Sequence, residues 1–219
     1  GPEGSRAVRL QLAVDRVTVE QGIAMCRPCA AWADIIEVGT SLIKEYGSAA
    51  IAAFARAFPD KEILADIKTM DEGAYEFRAA FAAGAGWATV MGAAAPATVE
   101  LCAAAAQKAG RQCMVDVMEC SPQRVAALAH LQQAVFCLHP PVDTKADLAS
   151  LILHARENYP GLHRLALAGG VTEACMPLLR GQGFEVAVVG SAVWKAEDPA
   201  AMARRFWLAA HAQEGRNDE

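Results

Sequence analysis

Short runs of apolar and β-branched residues alternate along this chain with longer, alanine-rich stretches of helical character. A helix-length segment follows each of the eight runs, which is the pattern of repeated strand–helix units around a buried parallel sheet. The predicted strands cover residues 8–14, 34–38, 62–66, 87–91, 113–117, 135–138, 164–168 and 185–189. Eight units predict closure into one (β/α)₈ barrel, the TIM barrel architecture, over residues 7–213. An open, doubly wound sheet is the alternative.

Composition and charge argue against several other classes of protein. The 219 residues suit one barrel domain, and no apolar run reaches the roughly 18 residues of a membrane-spanning helix. The formal net charge is −5 and the basic residues are scattered, which disfavours nucleic acid as a partner. Dispersed cysteines and a start without an apolar leader predict a cytoplasmic protein with reduced thiols. We expect residues 1–6 to be a tag remnant and residues 214–219 to be a disordered tail.

Charged side chains gather at the predicted carboxyl ends of the strands, where barrels of this kind place their catalytic groups. They are Asp15 after strand one, Glu37 in strand two, Asp66 and Lys68 at strand three, Asp116 in strand five and His139 after strand six. Such a carboxylate often only caps the following helix, and for Asp15 a capping role is as good an interpretation as a catalytic one. Asp66 and Lys68 stand two residues apart, so an extended backbone would point both to one side. Four converging carboxylates and one lysine predict a cation among them, because the carboxylates would otherwise repel one another.

Two glycine-containing loops follow the last two predicted strands. Gly169 and Gly170 come after strand seven, and Gly190 and Ser191 come after strand eight. Barrels often bind phosphate between these two loops through backbone N–H groups, and glycine lets the backbone approach the anion. Either loop alone would indicate only a tight turn. Together they predict a phosphate-binding site.

The segment Asp66-Ile67-Lys68-Thr69-Met70-Asp71 resembles the Asp-x-Lys-x-x-Asp signature of the orotidine 5′-monophosphate decarboxylase superfamily. Within it, the chain resembles the family of 3-hexulose-6-phosphate synthases and 3-keto-L-gulonate-6-phosphate decarboxylases. Supporting segments lie at residues 10–15, 34–40, 64–73, 115–117 and 168–171. The Thr-Met pair inside the motif favours the synthase.

The resemblance implies a metal site and a dimer. Glu37 and Asp66 would hold a Mg²⁺ ion, and Lys68 would lie beside the reacting carbons of the substrate. Asp71 would reach into the active site of a partner subunit, so that the enzyme would be an obligate homodimer with shared sites.

The resemblance also implies a phosphorylated ketose as substrate and roles for the remaining residues. Asp15 and Asp116 would orient substrate hydroxyls or act near the metal, and His139 would transfer the proton. The phosphate would bind at Gly169, Gly170, Gly190 and Ser191. The synthase joins formaldehyde to ribulose 5-phosphate through an enediolate, whereas the decarboxylase reaches a similar enediolate by losing CO₂. A cation and a lysine stabilise the negative charge that both reactions develop.

Departures from the family pattern leave alternatives open. The loop His139-Pro140-Pro141-Val142 has Val142 near the position of an arginine in the decarboxylases. Ser191 stands where the decarboxylases commonly have another arginine. A decarboxylase, a lyase for another ketose phosphate and a non-catalytic sugar-phosphate-binding barrel therefore remain alternatives. The C-x-x-C pair Cys26 and Cys29 resembles a redox motif, but it lies at the end of the first predicted helix, away from the predicted site.

Overall fold

A closed barrel of eight parallel strands forms the centre of the molecule. The computed structural model describes residues 7–141 and 147–212. Each strand pairs with the next, and β8 pairs with β1. The strands are β1 (Arg9–Val14), β2 (Ile35–Val38), β3 (Glu62–Thr69), β4 (Trp87–Met91), β5 (Gln112–Asp116), β6 (Val135–Leu138), β7 (Leu165–Leu167) and β8 (Val186–Val189). The predicted single-domain (β/α)₈ barrel is confirmed, and the open sheet is wrong.

Helices connect the strands around the outside of the barrel. They are α1 (Val19–Cys26), α2 (Thr40–Tyr46), α3 (Ser48–Ala57), α4 (Gly73–Ala82), α5 (Pro96–Ala109), α6 (Pro122–Leu128), α7 (Leu148–Leu153), α8 (Ala155–Asn158), α9 (Met176–Gly181), α10 (Ser191–Trp194) and α11 (Pro199–His211). Two 3₁₀ helices cover Arg27–Trp32 and Glu173–Cys175. No helix among residues 7–141 and 147–212 combines the length and the apolar character that a membrane span requires.

Some sequence-based predictions fall outside the part of the chain that the structure describes. They are the tag remnant at residues 1–6, the tail at residues 214–219 and the loop position Val142. Residue 213, the predicted end of the barrel, also lies outside the described residues, which end at Ala212.

Two apolar layers hold the barrel together. Inside the barrel, inward-facing side chains form a compact cluster that includes Ile35, Leu64, Trp87 and Met114. A larger cluster fills the space between the outer face of the strands and the helices. The interior cluster fills the barrel below its upper rim, and the barrel is open at the carboxyl ends of the strands.

Strand β3 is longer than predicted and irregular. It runs to Thr69 rather than ending at Asp66, and its register with β4 shifts between Ala65 and Thr69. Lys68 has a φ of 45°, in the left-handed region. The sequence predicted that Asp66 and Lys68 lie on one side because the backbone between them is extended. The two side chains do come together, but the backbone at Lys68 is not extended. Their side chains meet across this irregular backbone instead.

The carboxylate of Asp34 connects the C-terminal helix α11 to the amino end of the barrel. Oδ2 of Asp34 accepts the backbone N–H of Leu10 at 2.8 Å and lies 2.7 Å from Nε2 of His211. The imidazole of His211 also stacks on Trp207, with ring centroids 4.1 Å apart. Only 22% of the His211 side chain is exposed, so this histidine is packed against the body of the protein.

Replacing His211 with alanine should destabilise the barrel. The change removes a partly buried contact to a carboxylate and the stacking on Trp207, so we expect a loss of about 1.5–3 kcal/mol in the free energy of unfolding. Urea denaturation measures this. His130→Ala is the matched control, because His130 pairs with Glu100 at an exposed position and its loss should cost less than about 0.5 kcal/mol. Equal losses in the two variants would contradict the proposed anchoring of the helix.

Candidate active site

One cavity of about 890 Å³ opens at the carboxyl ends of the strands. Every predicted site residue except Asp71 lines it: Asp15, Glu37, Asp66, Lys68, Asp116, His139, Gly169, Gly170, Gly190 and Ser191. Buried polar side chains concentrate here as well, since Gln11, Glu37, Thr89 and Asp116 are each less than a tenth exposed. The fold thus gathers at one place residues that lie far apart in the sequence.

Glu37 is a buried carboxylate of the cavity, as little exposed as Asp116. Nε2 of Gln11 donates a hydrogen bond of 2.6 Å to its Oε1. Burial raises the pKa of Glu37 well above its usual range, and the nearby charge of Asp66 raises it further. The other polar atom of Gln11, Oε1, is buried and has no hydrogen-bond partner among the described residues. The side chain is therefore held in place, but the protein alone stabilises its ionised form poorly.

Lys68 lies between two carboxylates. Its Nζ is 2.9 Å from Oδ2 of Asp66 and 3.9 Å from Oδ2 of Asp116. Burial alone would lower the pKa of Lys68, but Asp66, Asp116 and Glu37 outweigh it and raise this pKa above its ordinary value. Lys68 is thus a fixed positive charge in the cavity.

Asp66 is held at both its side chain and its backbone. The hydroxyl of Thr89 on β4 donates a 2.7 Å hydrogen bond to Oδ1 of Asp66. The hydroxyl of Thr40, at the start of α2, donates to the backbone carbonyl of Asp66 at 2.8 Å. Contacts from β4 on one side and from the start of α2 on the other therefore fix this residue.

Asp116 and His139 form a hydrogen-bonded pair. Nδ1 of His139 lies 2.8 Å from Oδ2 of Asp116, and the backbone N–H of Met118 donates to Oδ1 at 2.9 Å. Burial would raise the pKa of Asp116, but the hydrogen bond and charge of His139, the Met118 N–H and Lys68 together lower it. An ionised Asp116 can orient the imidazole ring in the cavity.

Asp15 has a structural contact as well as a place in the cavity. Its Oδ1 accepts the backbone N–H of Ser41 at 3.2 Å and the Ser41 hydroxyl at 2.8 Å. Thr18, not Asp15, caps the helix that follows β1. The interpretation of Asp15 as the cap of the helix that follows β1 is therefore wrong. Its carboxylate instead binds the first turn of α2, the helix after the neighbouring strand.

The two glycine loops lie side by side at the cavity rim. Gly169 and Gly170 have φ angles of 89° and 74°, a backbone conformation that favours glycine. At the second loop, Nε1 of Trp194 donates a 2.7 Å hydrogen bond to the carbonyl of Ala13. This bond ties the loop after β8 to the end of β1.

Three polar contacts of the site were missed by the sequence analysis. Gln11 and Thr89 orient the carboxylates of Glu37 and Asp66, and Trp194 ties down the loop after β8. The available signal was a polar residue inside an apolar strand, as in Leu10-Gln11-Leu12 and Ala88-Thr89-Val90.

Asp71 does not lie in this cavity. Its side chain is exposed, and Oδ1 accepts the backbone N–H of the next residue, Glu72, at 2.9 Å. Two large apolar side chains nearby are also exposed, Met70 at 53% and Tyr75 at 68%. Asp71 is thus the one predicted site residue that the fold of a single chain leaves outside the site.

The C-x-x-C pair also lies apart from the cavity. Cys26 ends α1 and Cys29 belongs to the following 3₁₀ helix, and both side chains are buried. Burial, with a contribution from Cys29, raises the pKa of Cys26 to about 12. A protonated, enclosed thiol is a poor nucleophile.

Comparison with known proteins shows the family. The model of the orotidine 5′-phosphate decarboxylase / HUMPS family matches residues 8–206. The chain belongs to this family. It is 36% identical over 206 residues to the 3-hexulose-6-phosphate synthase of Mycobacterium gastri, covering 91% of this chain and 98% of that protein.

Solved structures agree with this assignment to the orotidine 5′-phosphate decarboxylase / HUMPS family. 3-hexulose-6-phosphate synthase from Salmonella typhimurium is 33% identical with a TM-score of 0.83, covering 93% of this chain and 98% of that chain. 3-keto-L-gulonate-6-phosphate decarboxylase from Vibrio cholerae O1 biovar El Tor has a TM-score of 0.80 at 24% identity, covering 93% and 97%, and shows a shared fold. The resemblance inferred from residues 66–71 is confirmed, and the chain is an enzyme of the lyase class.

Replacing Gly39 with alanine should disturb the site at its first carboxylate. A Cβ at Gly39 would overlap the carboxylate of Asp15 and the carbonyl of Val14. Overpacking of this kind costs about 1–3 kcal/mol, which chemical denaturation measures as a lower free energy of unfolding.

Gly181→Ala is the control for Gly39→Ala, because a Cβ at Gly181 meets no atom within 4 Å. We expect Gly181→Ala to be neutral or to stabilise by up to about 1 kcal/mol. If Gly39→Ala were as stable as this control, the close packing of β1 against the β2 loop would be wrong.

Proposed function

We propose that this lyase is a Mg²⁺-dependent 3-hexulose-6-phosphate synthase that joins formaldehyde to ribulose 5-phosphate. The observation that carries the proposal is the network in which Lys68 lies between Asp66 and Asp116 while Asp116 holds His139. It combines a fixed cation with a proton-transfer group in one cavity. The similarity to 3-hexulose-6-phosphate synthases over about nine-tenths of the chain supports the same activity.

The phosphate of the substrate would bind at the glycine loops. Gly169, Gly170, Gly190 and Ser191 line one side of the cavity, and their backbone N–H groups are suitable donors to an anion. With the phosphate there, the ketose chain extends towards Lys68 and His139. Asp15 and Asp116 would accept hydrogen bonds from its hydroxyls.

The carboxylates of the cavity fit a magnesium ion. Glu37 and Asp66 are close enough for each charge to act on the other, and the buried Oε1 of Gln11 beside Glu37 has no partner among the described residues. No cluster of three His, Cys, Asp or Glu ligands occurs among residues 7–141 and 147–212. Mg²⁺ commonly binds one or two carboxylates and keeps water or substrate oxygens as its other ligands. Glu37 and Asp66 would hold the ion, which would supply positive charge to stabilise the enediolate.

The residues of the chain account for the proton and electron movements. His139 takes a proton from the substrate carbon next to the carbonyl group, and the electrons of the broken C–H bond form an enediolate. Lys68 stabilises the negative charge that develops on the substrate oxygens. The enediolate carbon then attacks the carbon of formaldehyde, so that a C–C bond forms as the C=O π bond of formaldehyde breaks, and the formaldehyde oxygen takes up the proton that His139 had removed. Because Asp116 occupies Nδ1 of His139, Nε2 is the nitrogen that exchanges the proton.

A 3-keto-L-gulonate-6-phosphate decarboxylase is the second candidate. The shared fold is compatible with it, and loss of CO₂ would give an enediolate that the same Lys68 stabilises. Ser191 stands in the loop after β8 where the resemblance places an arginine in the decarboxylases, which favours the synthase. A related lyase acting on another ketose phosphate fits the same cavity. The intact network around Lys68 argues against a non-catalytic sugar-phosphate-binding barrel.

A cytoplasmic location and the absence of nucleic acid partners stay predictions.

The purified protein should consume formaldehyde and ribulose 5-phosphate only with a divalent cation. EDTA should abolish turnover and added Mg²⁺ should restore it, because without the ion the carboxylates of Glu37 and Asp66 would repel the enediolate. Lys68→Ala should lower kcat roughly 10²- to 10³-fold by removing the fixed cation. Lys44→Ala, on the exposed side of α2, is the control and should keep full activity. Full turnover in EDTA would rule out the metal, and turnover of 3-keto-L-gulonate 6-phosphate alone would favour the decarboxylase.

We also infer that the active enzyme is a homodimer with shared sites. Asp71 belongs to the motif of the resemblance but lies outside the cavity of its own chain, beside the exposed Met70 and Tyr75. Exposed apolar side chains around a polar group are typical of an interface. In a two-fold dimer Asp71 would enter the cavity of the partner.

Mixing two inactive variants should restore activity if Asp71 acts in the partner's site. Lys68→Ala and Asp71→Ala chains are combined under conditions that exchange subunits. In a mixed dimer one site carries both defects and the other carries none. Random pairing makes half of the dimers mixed, so activity should reach at most roughly a quarter of the wild-type value.

Each variant exchanged with itself is the control for this complementation and should stay inactive. If Asp71 acted within its own chain, every site in the mixture would keep one defect and no activity would return. A monomer in light scattering at the assay concentration would also contradict the shared site.

A further inference from the structure

Lys68 has a backbone conformation that needs support. Its φ of 45° lies in the left-handed region, which is unfavourable for a residue with a side chain. The register of β3 against β4 shifts at the same place, between Ala65 and Thr69, so the regular ladder does not determine the position of Lys68. Such strained residues persist only where surrounding contacts fix them.

One hydroxyl group on the neighbouring strand contacts both Lys68 and Asp66. Oγ1 of Thr89 accepts the backbone N–H of Lys68 at 3.0 Å and donates to Oδ1 of Asp66 at 2.7 Å. Thr89 is only 3% exposed, so water has little access to these bonds. A third bond closes the circuit, because Nζ of Lys68 donates to Oδ2 of Asp66 at 2.9 Å.

The direction of these bonds is determined by their chemistry. A backbone N–H can only donate, so the hydroxyl must accept from Lys68 with a lone pair. Its single hydrogen is then available for the carboxylate of Asp66. Threonine is β-branched and therefore stiff about χ1, which keeps the hydroxyl aimed at both groups.

No other described contact performs both tasks. Thr40 binds the backbone carbonyl of Asp66 rather than its carboxylate, and Gln11 binds Glu37. Without Thr89, the N–H of Lys68 would lose its acceptor in the barrel wall, and Asp66 would be free to turn towards Lys68 alone.

We propose that Thr89 is a positioning residue, whose hydroxyl holds the backbone of Lys68 and the carboxylate of Asp66 at a fixed separation. Its effect on catalysis rests on the function proposed above, in which Lys68 faces the reacting carbons. Thr89 itself need not touch the substrate for this role. Its loss should therefore affect kcat more than KM for ribulose 5-phosphate.

Three variants test the role of the hydroxyl. Thr89→Val keeps the shape and removes both bonds, and should lower kcat roughly ten- to a hundredfold with little change in KM, as for other residues that orient a ligand-holding group. Thr89→Ser keeps the hydroxyl and should retain most of the activity. Thr89→Ala removes the same hydroxyl with less bulk and should behave like the valine variant, which covers a failure of Thr89→Val to fold.

Thr18→Val is the control for loss of stability. The Thr18 hydroxyl caps α1 by accepting the N–H of Gln21 and contacts neither Lys68 nor Asp66. This variant should lose thermal stability and keep its kcat. A loss of kcat equal to that of Thr89→Val would show that destabilisation alone explains the effect.

A crystal structure of Thr89→Val, or of Thr89→Ala, tests the positioning separately from activity. We expect the Lys68 backbone to leave the left-handed region and the Asp66 carboxylate to rotate. Unchanged Lys68 and Asp66, wild-type kcat in the variants without the hydroxyl, or a serine variant as impaired as valine would each overturn the proposal. If the wild-type protein turned over neither ketose phosphate, the proposed function would fail, while the crystal structure would still decide the role of Thr89.

Discussion

Pairing of β8 with β1 is the constraint on which the whole site depends. It closes the sheet, so that all eight strands end at one rim and their last residues face a common cavity. The bond from Trp194 to the carbonyl of Ala13 joins residues 181 positions apart and continues this closure beyond the last paired residues. An open sheet with the same strands would spread the glycine loops and the carboxylates along an edge. Closure therefore makes a phosphate site and a charged site neighbours.

Because the charged side chains of the cavity are buried, each of them needs a partner of opposite charge or a hydrogen bond. Apolar side chains fill the interior of the barrel below the rim, so the carboxylates above them have limited access to water. Lys68 compensates Asp66 and Asp116, which is why its own pKa rises and that of Asp116 falls. Glu37 receives a hydrogen bond from Gln11 and a smaller contribution from the charge of Lys68, but burial and the charge of Asp66 outweigh both and raise its pKa. The ionised form of Glu37 is thus poorly stabilised by the protein alone, and the proposed magnesium ion would supply the missing positive charge beside Asp66.

Much of the site could be predicted because strand ends and motifs are local features of the sequence. The positions of Asp66, Lys68, Asp116 and His139 follow from where apolar runs end. The route by which Asp66 and Lys68 meet could not be predicted, since the left-handed backbone at Lys68 depends on a hydroxyl from β4. The roles of Gln11 and Thr89, two polar residues inside strands, could not be predicted either. Their function depends on partners that only the assembled barrel brings within hydrogen-bonding distance.

The sequence by itself determined the number of strand–helix units, the family and the chemical types of the groups at the rim. These properties follow from periodicity and from a motif of six consecutive residues. The tertiary structure decided which groups face each other: Gln11 with Glu37, Thr89 with Asp66, and Asp116 with His139. It also placed Asp71 outside the cavity of its own chain. The physical reason is that hydrogen bonds and charge interactions act over a few ångströms, whereas these partners are separated by more than twenty residues of chain.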